Sequence, residues 1–343
     1  MGTPIDLALN IGGYLMNKRI RHMIVHVTNN CNFRCKHCFI DFDDKKDLTL
    51  DHYKDIAKDQ PEVFWLDIGG GEPFLRSDLA DIVCLYNSKV THIPTNGRLT
   101  PTIVDQCKKI KDRKDTELII GLSLDGLEET HNHIRGKKNS WFHAWNTYDK
   151  LRELGNVSIK VTTVITESNF HEILPLMEEV QKRGVDFHSV ILLRGEPLDP
   201  TFGLPPLEEL KAFAPKMFDI LARYDYGRTS VSAYILRNFH KYLWNTSIKV
   251  LEERRQVIPC LAGEAHMVVW GDGGVSSCEM LPKVGSVRDK PLKEVLASKE
   301  YQDQVQMIKD KKCHCTHNCA MLPSIFFNPK NFHNLAFQKV PNP

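Results

Sequence analysis

HMIVHVTNNCNFRCKHC, residues 22–38, holds two signals back to back. Its first part, HMIVHV (22–27), is a short apolar run rich in β-branched residues, with the length and composition of a buried strand. The loop that follows carries Cys31, Cys35 and Cys38 at Cys-x3-Cys-x2-Cys spacing. Three thiols cannot all pair with one another, and three ligands leave a tetrahedral ion one short.

Further along the chain the strand-then-loop unit recurs. VFWLDIG (63–69), VTHIPT (90–95), ELIIGLSLD (117–125), SIKVTTVIT (158–166) and HSVILLRG (188–195) read as strands. Amphipathic helical patterns begin between them near Thr49, Asp78, Thr100, Trp141 and Asn169, several opening on residues that cap helix N-termini. Six β-then-α units with near-continuous apolar strands predict a parallel sheet covered by helices, lying open or curled into a barrel. Either way, reacting groups gather at the carboxyl ends of the strands. The cysteine loop follows the first strand, GGGEP (69–73) the second and PTNG (94–97) the third, and SLDG (123–126) ends the fourth.

The chain has 343 residues, which allows one large domain and a smaller one. It is 42% hydrophobic and 26% charged with a formal net charge of +2, an enzyme-like balance without a nucleic-acid-binding basic excess or an acidic tail. The first residues lack the charged start and unbroken apolar core of a signal peptide, and Asp6 breaks the myristoylation pattern. No stretch approaches the roughly 18 apolar residues of a membrane span. The expectation is a cytoplasmic protein with no membrane and no nucleic-acid partner. In that compartment ten cysteines point to metal or catalysis rather than disulfides. Cys84 and Cys107 sit in apolar helical patterns and read as buried small hydrophobes.

After LRGEPLDPTFGLPP (193–206), a proline-rich connection, helical stretches run to about residue 256. IPCLAGEAHMVVWGDGGVSSC (258–278) then reads as a tight hairpin turning at Gly271-Asp272-Gly273-Gly274 and ending on Cys278. Three more cysteines, Cys313, Cys315 and Cys319, cluster in KCHCTHNC (312–319).

The three-cysteine loop admits structural zinc with His37 as fourth ligand, or a four-iron cluster with one iron left open. The motif resembles that of the radical S-adenosylmethionine (SAM) enzymes, with His37 at the position commonly held by an aromatic residue. The resemblance implies a [4Fe-4S] cluster on Cys31, Cys35 and Cys38 whose open iron binds SAM and, on reduction, yields a 5'-deoxyadenosyl radical. Gly70, Gly71, Glu72 and Pro73 look like the family's GGEP motif, implying contact with the SAM ammonium. Thr95 and Asn96 resemble its TNG, Ser123 the residue contacting the SAM ribose, and Asp125 lies in the same SLDG. THNHIRG (130–136) is similar to the HDxIRG that follows SLDG in many members, with Asn132 in place of Asp, and brings Arg135 into the cofactor set.

Cys260 and Cys278, with Gly273 five residues before the latter, look like the opening of a SPASM or twitch domain, as does VGSVRDKPLKEVLASKEYQ (284–302). Such domains hold auxiliary iron–sulfur clusters. Five cysteines are enough for one auxiliary [4Fe-4S] cluster, expected on Cys260, Cys278 and Cys319 plus Cys315 or Cys313. A zinc knuckle using His314 or His317 is the other reading.

The expected architecture is α/β: a partial, TIM-like (β/α)6 barrel with a small C-terminal SPASM/twitch-like iron–sulfur domain. Its divisions are 1–21 as an N-terminal extension, 22–200 as the barrel, 201–256 as a helical linker and 257–343 as the auxiliary-cluster domain. Arg194, closing the sixth strand, would suit a substrate carboxylate or phosphate. The expected activity is hydrogen abstraction leading to oxidation or rearrangement of a small molecule, with a donor such as flavodoxin or ferredoxin supplying electrons. Peptide modification is the rival, the short N-terminal extension giving no room for a leader-binding module. A non-catalytic iron–sulfur or zinc scaffold is the reading from another class.

Overall fold

The computed structural model describes residues 4–40, 42, 46–224, 226 and 230–337, so the outermost parts of the expected 1–21 and 257–343 divisions lie outside the described residues. The repeating apolar runs become six parallel strands: β1 (His22–Thr28), β2 (Glu62–Gly70), β3 (Asn87–Thr95), β4 (Glu117–Ser123), β5 (Ser158–Ile165) and β6 (Phe187–Leu192). Helices cross between them, among them Leu50–Asp59, Leu79–Cys84, Thr100–Arg113, Ser140–Leu154 and Ile173–Lys182. The alternation of side chains along a strand sorts the residues into two layers. Met23, Val25 and Val27 of β1, Leu66 of β2, Ile93 of β3 and Val161 of β5 pack outward in one apolar core with Tyr53, Ile82, Ile103 and Leu151 of the helices. Their neighbours in sequence, His22, Ile24 and His26, Asp67, His92, Lys160 and Thr162, face an internal cavity.

The C-terminal hairpin forms where expected, as β7 (His266–Val269) and β8 (Gly274–Ser276), but it does not stand apart from the barrel. β7 pairs in parallel with β1, setting His266 opposite His22 and Val269 opposite Val25. With β9 (Gly285–Ser286), nine described strands make one sheet in the order β6-β5-β4-β3-β2-β1-β7-β8-β9. At the other margin, beyond β6, the long helix Ser230–Glu253 presents Leu236, Phe239, His240 and Leu243 to the cavity. Phe239 stacks on Phe326, ring centroids 4.8 Å apart, which ties that helix to the C-terminal helix Asn318–Phe326. A helix thus stands where a complete barrel would have strands.

The N-terminal segment, expected only as an extension, forms the helix Pro4–Met16. Its Tyr14 is buried against Phe327, and both join Phe64, Trp65, Val90 and Ile119 in a small apolar cluster. Cys107 is fully buried in the outer core, while Cys84 is only half-buried, short of the fully buried position expected for it.

Candidate active site

At the carboxyl ends of the strands the loops close over a cavity of about 340 Å³. Cys31, Cys35 and Cys38 all line it, as do His37, Gly70, Gly71, Glu72, Thr95, Asn96, Ser123, Arg135 and Arg194. Four separated sequence motifs therefore meet at one place. Pro73 and Asp125 stand just behind, both buried.

The cysteine loop is held from below by glycines. Gly71 N–H donates to Thr28 O at 2.8 Å and Glu72 N–H to Asn30 O at 2.9 Å. A Cβ on Gly71 would lie 2.2 Å from Asn30 O, and one on Gly70, whose φ is +115°, 2.1 Å from Thr28 O. Only glycine permits this approach of two backbones. From the side, Asn96 Nδ2 donates to Asn32 Oδ1 at 2.8 Å, fastening the TNG turn to the loop.

Glu72 is fully buried, and its carboxylate accepts from Thr95 Oγ1 at 2.9 Å, from Asn96 N–H at 2.8 Å and from Phe74 N–H at 3.3 Å. Burial raises its pKa to about 7 against the lowering effect of those donors. Its present partners are therefore the chain's own turn and β3, with the backbone of the GGE stretch at the cavity surface.

Asp125 organises the opposite side. Its Oδ2 meets Arg135 Nη2 at 2.6 Å and His37 Nε2 at 2.8 Å, and its Oδ1 accepts from Val164 N–H at 2.9 Å. Burial alone would push its carboxyl up, but the Arg135 and His37 charges outweigh that and hold it well down. His37 Nε2 is thereby engaged by a carboxylate, which fixes the orientation of its ring beside the cysteine loop. The same guanidinium reaches Cys35 Sγ through Nη1 at 3.6 Å, and Phe33 N–H points to Cys31 Sγ at 3.4 Å. Burial raises Cys31 to about 12, and Cys35 and Cys38 are also raised by burial first, with Cys35 opposing the ionisation of both Cys31 and Cys38. Bare thiols so placed are poor nucleophiles, whereas iron deprotonates thiols on binding. Three convergent sulfurs, with a guanidinium and an N–H aimed at two of them, fit a cluster that leaves one iron open.

Below the loop the cavity floor is polar in a way the motifs did not signal. Asp67 accepts from His22 Nε2 at 2.7 Å and meets His92 Nδ1 at 2.5 Å. Lys160 and His240 share the cavity with them. Arg194 lies over the Phe39 ring at 5.1 Å, with its Nε buried and unpartnered. The signal was present, as polar residues at inward-facing alternate positions of otherwise apolar strands.

The five C-terminal cysteines divide. Cys260, Cys278 and Cys313 share a buried patch with Ala262, Ile308 and Ala320. Cys315 is raised to about 11, by burial first and then by Cys260 and Cys313, and its charge acts in turn on Cys278. Cys319 instead lines the cavity, where its charged neighbours are Glu279, Asp67, Arg194 and Lys160. Of the expected set of Cys260, Cys278 and Cys319 plus Cys315 or Cys313, Cys319 is thus the one at the cavity surface. His314 is exposed and His317 is fully buried against Glu279, away from a shared knuckle.

Comparison with known proteins agrees with this anatomy. The family model described as the radical SAM superfamily matches residues 25–180, and that of the SPASM iron–sulfur cluster-binding domain matches residues 260–320. Among curated relatives, the subtilosin biosynthesis protein AlbA of Bacillus subtilis is 25% identical over 282 residues, 76% of this chain and 55% of that protein. An S-adenosylmethionine-dependent nucleotide dehydratase of Selenomonas ruminantium is 32% identical over 166 residues, 45% of this chain and 59% of that protein. The chain thus spans little more than half the length of these two relatives. Of solved structures, SuiB of Streptococcus suis bound to its precursor peptide SuiA matches with a TM-score of 0.62 at 16% identity, covering 88% of this chain and 70% of that one. The enzyme anSMEcpe with bound AdoMet and a peptide matches at 0.61 and 14% identity, over 84% and 82%. Both share the fold. No described helix is long and apolar enough to cross a membrane. The radical SAM match carries with it a [4Fe-4S] cluster that binds SAM, and the SPASM match carries auxiliary iron–sulfur ligation. Sheet, cysteine loop and both family matches agree, and the chain belongs to the radical SAM superfamily, in its SPASM/twitch-type subclass.

Proposed function

We propose that this radical SAM enzyme is an oxidoreductase that dehydrogenates or rearranges a small molecule. When bound, the cluster and SAM together supply a 5'-deoxyadenosyl radical able to take a hydrogen atom from a C–H bond. The chain's own residues do the rest. Arg135 and Phe33 N–H hold the sulfurs of Cys35 and Cys31 in place. The GGEP backbone, with Thr95, Asn96 and Ser123, forms the wall assigned to SAM, and Asp125 fixes Arg135 and His37 behind it. Phe33, Phe39, Phe187, Phe239 and Leu243 give the remaining walls an apolar surface that keeps water from a reactive intermediate. Lys160 and Arg194 offer cations to a substrate carboxylate or phosphate.

The observation that carries the oxidative reading is the nearness of Cys260, Cys278, Cys313 and Cys315 to one another, with Cys319 of the same five lining the cavity. An auxiliary cluster there would stand next to the substrate space and accept the second electron of an oxidation. Support for a small molecule comes from the helix Ser230–Glu253, which stands beyond the free edge of β6 and leaves a cavity of about 340 Å³. A second reading, modification of a peptide, is favoured by the relation to AlbA, a bacteriocin biosynthesis protein. Flavodoxin or ferredoxin is the proposed class of electron donor.

Anaerobic reconstitution with iron and sulfide tests the proposal. About eight irons per chain and reductive release of 5'-deoxyadenosine are expected. Replacing Cys31, Cys35 and Cys38 by alanine should abolish the product and keep about four irons. Product surviving that change sinks the assignment, and zinc in place of iron in native protein favours a scaffold. A precursor-peptide gene beside this one, with a mass change in that peptide on incubation, would decide for the second reading.

A further inference from the structure

Among the described residues, the carboxylates lining the cavity are all engaged. Asp67 is shared by His22 and His92, Glu72 takes Thr95 Oγ1 and the Asn96 N–H, and Glu279 is paired with His26 at 2.8 Å and His317 at 2.7 Å. The cations are not balanced in the same way. Arg135 has Asp125, but Lys160 makes no hydrogen bond or ion pair with any described residue, and Asp67 and Cys319 act on its charge only from a distance. An enclosed ammonium without a partner carries a desolvation cost that a bound anion would offset.

β5 places Lys160 opposite Gly121 of β4, two residues before Ser123, so its Cα stands about 7 Å below the wall assigned to SAM. A Cβ on Gly121 would come within 3.3 Å of Lys160 Cε, so the glycine leaves room for the lysine stem. On its other side Lys160 pairs with Phe187, and its Nζ lies 6.0 Å from the centre of that ring. Phe187 meets Tyr226 with ring centroids 5.8 Å apart, and Tyr226 stacks on His240 at 5.8 Å and 15°. His240 lines the cavity from the helix Ser230–Glu253 and likewise has no hydrogen-bond partner among the described residues. Burial first, then the Lys160 charge, lowers it to about 4, so near neutral pH it is an uncharged ring with one N–H to donate. The hydroxyl of Tyr226, buried without a partner, is a further donor in this group. Arg194 stands apart from it: β6 pairs Phe187 with Lys160 and runs on to Leu192, which puts Arg194 about 17 Å or more nearer the mouth.

We propose that Lys160 and His240 form an anion site beneath the SAM wall, which binds a carboxylate or phosphate group of the substrate. The inference rests on the reading of this cavity as the substrate space, and it narrows the substrate class to small acids or phosphate esters. Free donors with no free carboxylate beside them attract an anion and repel an amine, so the site selects against cationic substrates. An acid group held there puts its neighbouring carbons at the level of Ser123, next to the wall assigned to SAM.

The test is trace acetylation by acetic anhydride of the full chain, reconstituted anaerobically with iron and sulfide and saturated with SAM. Labelling of Lys160 is read by mass spectrometry relative to the exposed Lys89 and Lys138. Phosphate or acetate replacing chloride at constant ionic strength should slow Lys160 alone, by about threefold when the anion stands at twice its Kd. Protection by phosphate only assigns a phosphate ester, by acetate only a carboxylate, and by both a site that reads the shared charge. In H240L the protecting concentration should rise about three- to tenfold, while H240N, which keeps a donor, stays near wild type. Unchanged rates at Lys89 and Lys138 check the fold of each variant. Lys160 unlabelled in chloride, labelled equally with and without both anions, protected as well by tetramethylammonium, or protected in H240L as in wild type, would overturn the site. Reductive release of 5'-deoxyadenosine by the same preparation reports separately on the radical SAM reading, so the site can fail while that assignment stands.

Discussion

Arg135 joins Asp125 to Cys35: one guanidinium nitrogen stands 2.6 Å from the Asp125 carboxylate and another 3.6 Å from the Cys35 sulfur. The residues lie on separate segments, and the pair is buried. Removing one partner of such a pair leaves an uncompensated charge, so Arg135→Ala should cost about 3–5 kcal/mol in denaturation midpoints of the apo protein. It should also lower iron retained after reconstitution, because a positive charge no longer faces a sulfur that must carry a negative one. Arg135→Lys keeps the charge but loses the fork, and iron retention between the two is expected. Wild-type iron content in Arg135→Ala would remove Arg135 from any role at the loop.

Gly71 provides a sharper test of the loop's seat. An alanine Cβ would overlap Asn30 O at 2.2 Å, and backbone cannot yield as a flexible side-chain tip does. Gly71→Ala should therefore shift the cysteine loop and cut iron binding to Cys31, Cys35 and Cys38 while leaving the far-UV spectrum unchanged. Gly203, with no atom within 4 Å of a Cβ placed there, is the control. Gly203→Ala should be neutral or stabilise by up to about 1 kcal/mol through the unfolded chain. Equal effects of the two changes would refute the packing argument.

Glu72→Gln isolates the hydrogen bonds from the shape of the side chain. The carboxylate receives one hydroxyl and two backbone N–H groups, and a carboxamide has only one oxygen to offer them. Thr95 can reverse its hydroxyl and accept, but a buried N–H of Asn96 or Phe74 is left facing the amide's own donors. A loss of about 1–3 kcal/mol follows, with faster hydrogen exchange at the orphaned amide. Unchanged exchange at both amides would contradict the geometry.

The barrel strands were legible because parallel strands buried on both faces read as continuous apolar runs, and all six fall within a few residues of the expected bounds. The motif residues were legible for a related reason, since they sit at strand ends where composition changes abruptly. What was not legible depends on contacts distant in sequence. Nothing within MVVW tells that β7 will pair with β1, some 240 residues earlier, in parallel. The helix Pro4–Met16 contains two glycines and gains its place from Tyr14 packing on Phe327, a contact across the whole chain. Asp67, His92 and Lys160 were hidden inside strands judged apolar as blocks, and a residue-by-residue reading at period two would have marked them as inward-facing. The nearness of Cys319 to Glu279 follows from helix Asn318–Phe326 turning its first residues to the cavity, which spacing alone does not encode.

Three buried histidines make acid stability a quantitative prediction. Burial lowers His131 and His188 to about 3 and His240 to about 4, with Arg135 adding to the effect on His131 and Lys160 to that on His240. In the unfolded chain each titrates near 6.5. Because the folded values are depressed, the unfolded state takes up protons first as pH falls. The stabilising contribution is therefore complete above 6.5 and is lost progressively toward 3–4. Each histidine contributes a slope of up to about 1.4 kcal/mol per pH unit. Between pH 5 and 6.5 the carboxylates held low, such as Asp125, remain ionised in both states and do not confuse the measurement. His188 is the one to change, since its ring makes a single hydrogen bond, from Nε2 to Thr163 Oγ1 at 2.7 Å, that an amide can replace. Urea denaturation of His188→Gln in that window should show a slope lower than wild type by about 0.7 kcal/mol per unit at pH 6.5, rising to about 1.4 toward pH 5, even if its stability at pH 7.5 is reduced. An unchanged slope would mean that His188 accepts its proton in the folded chain.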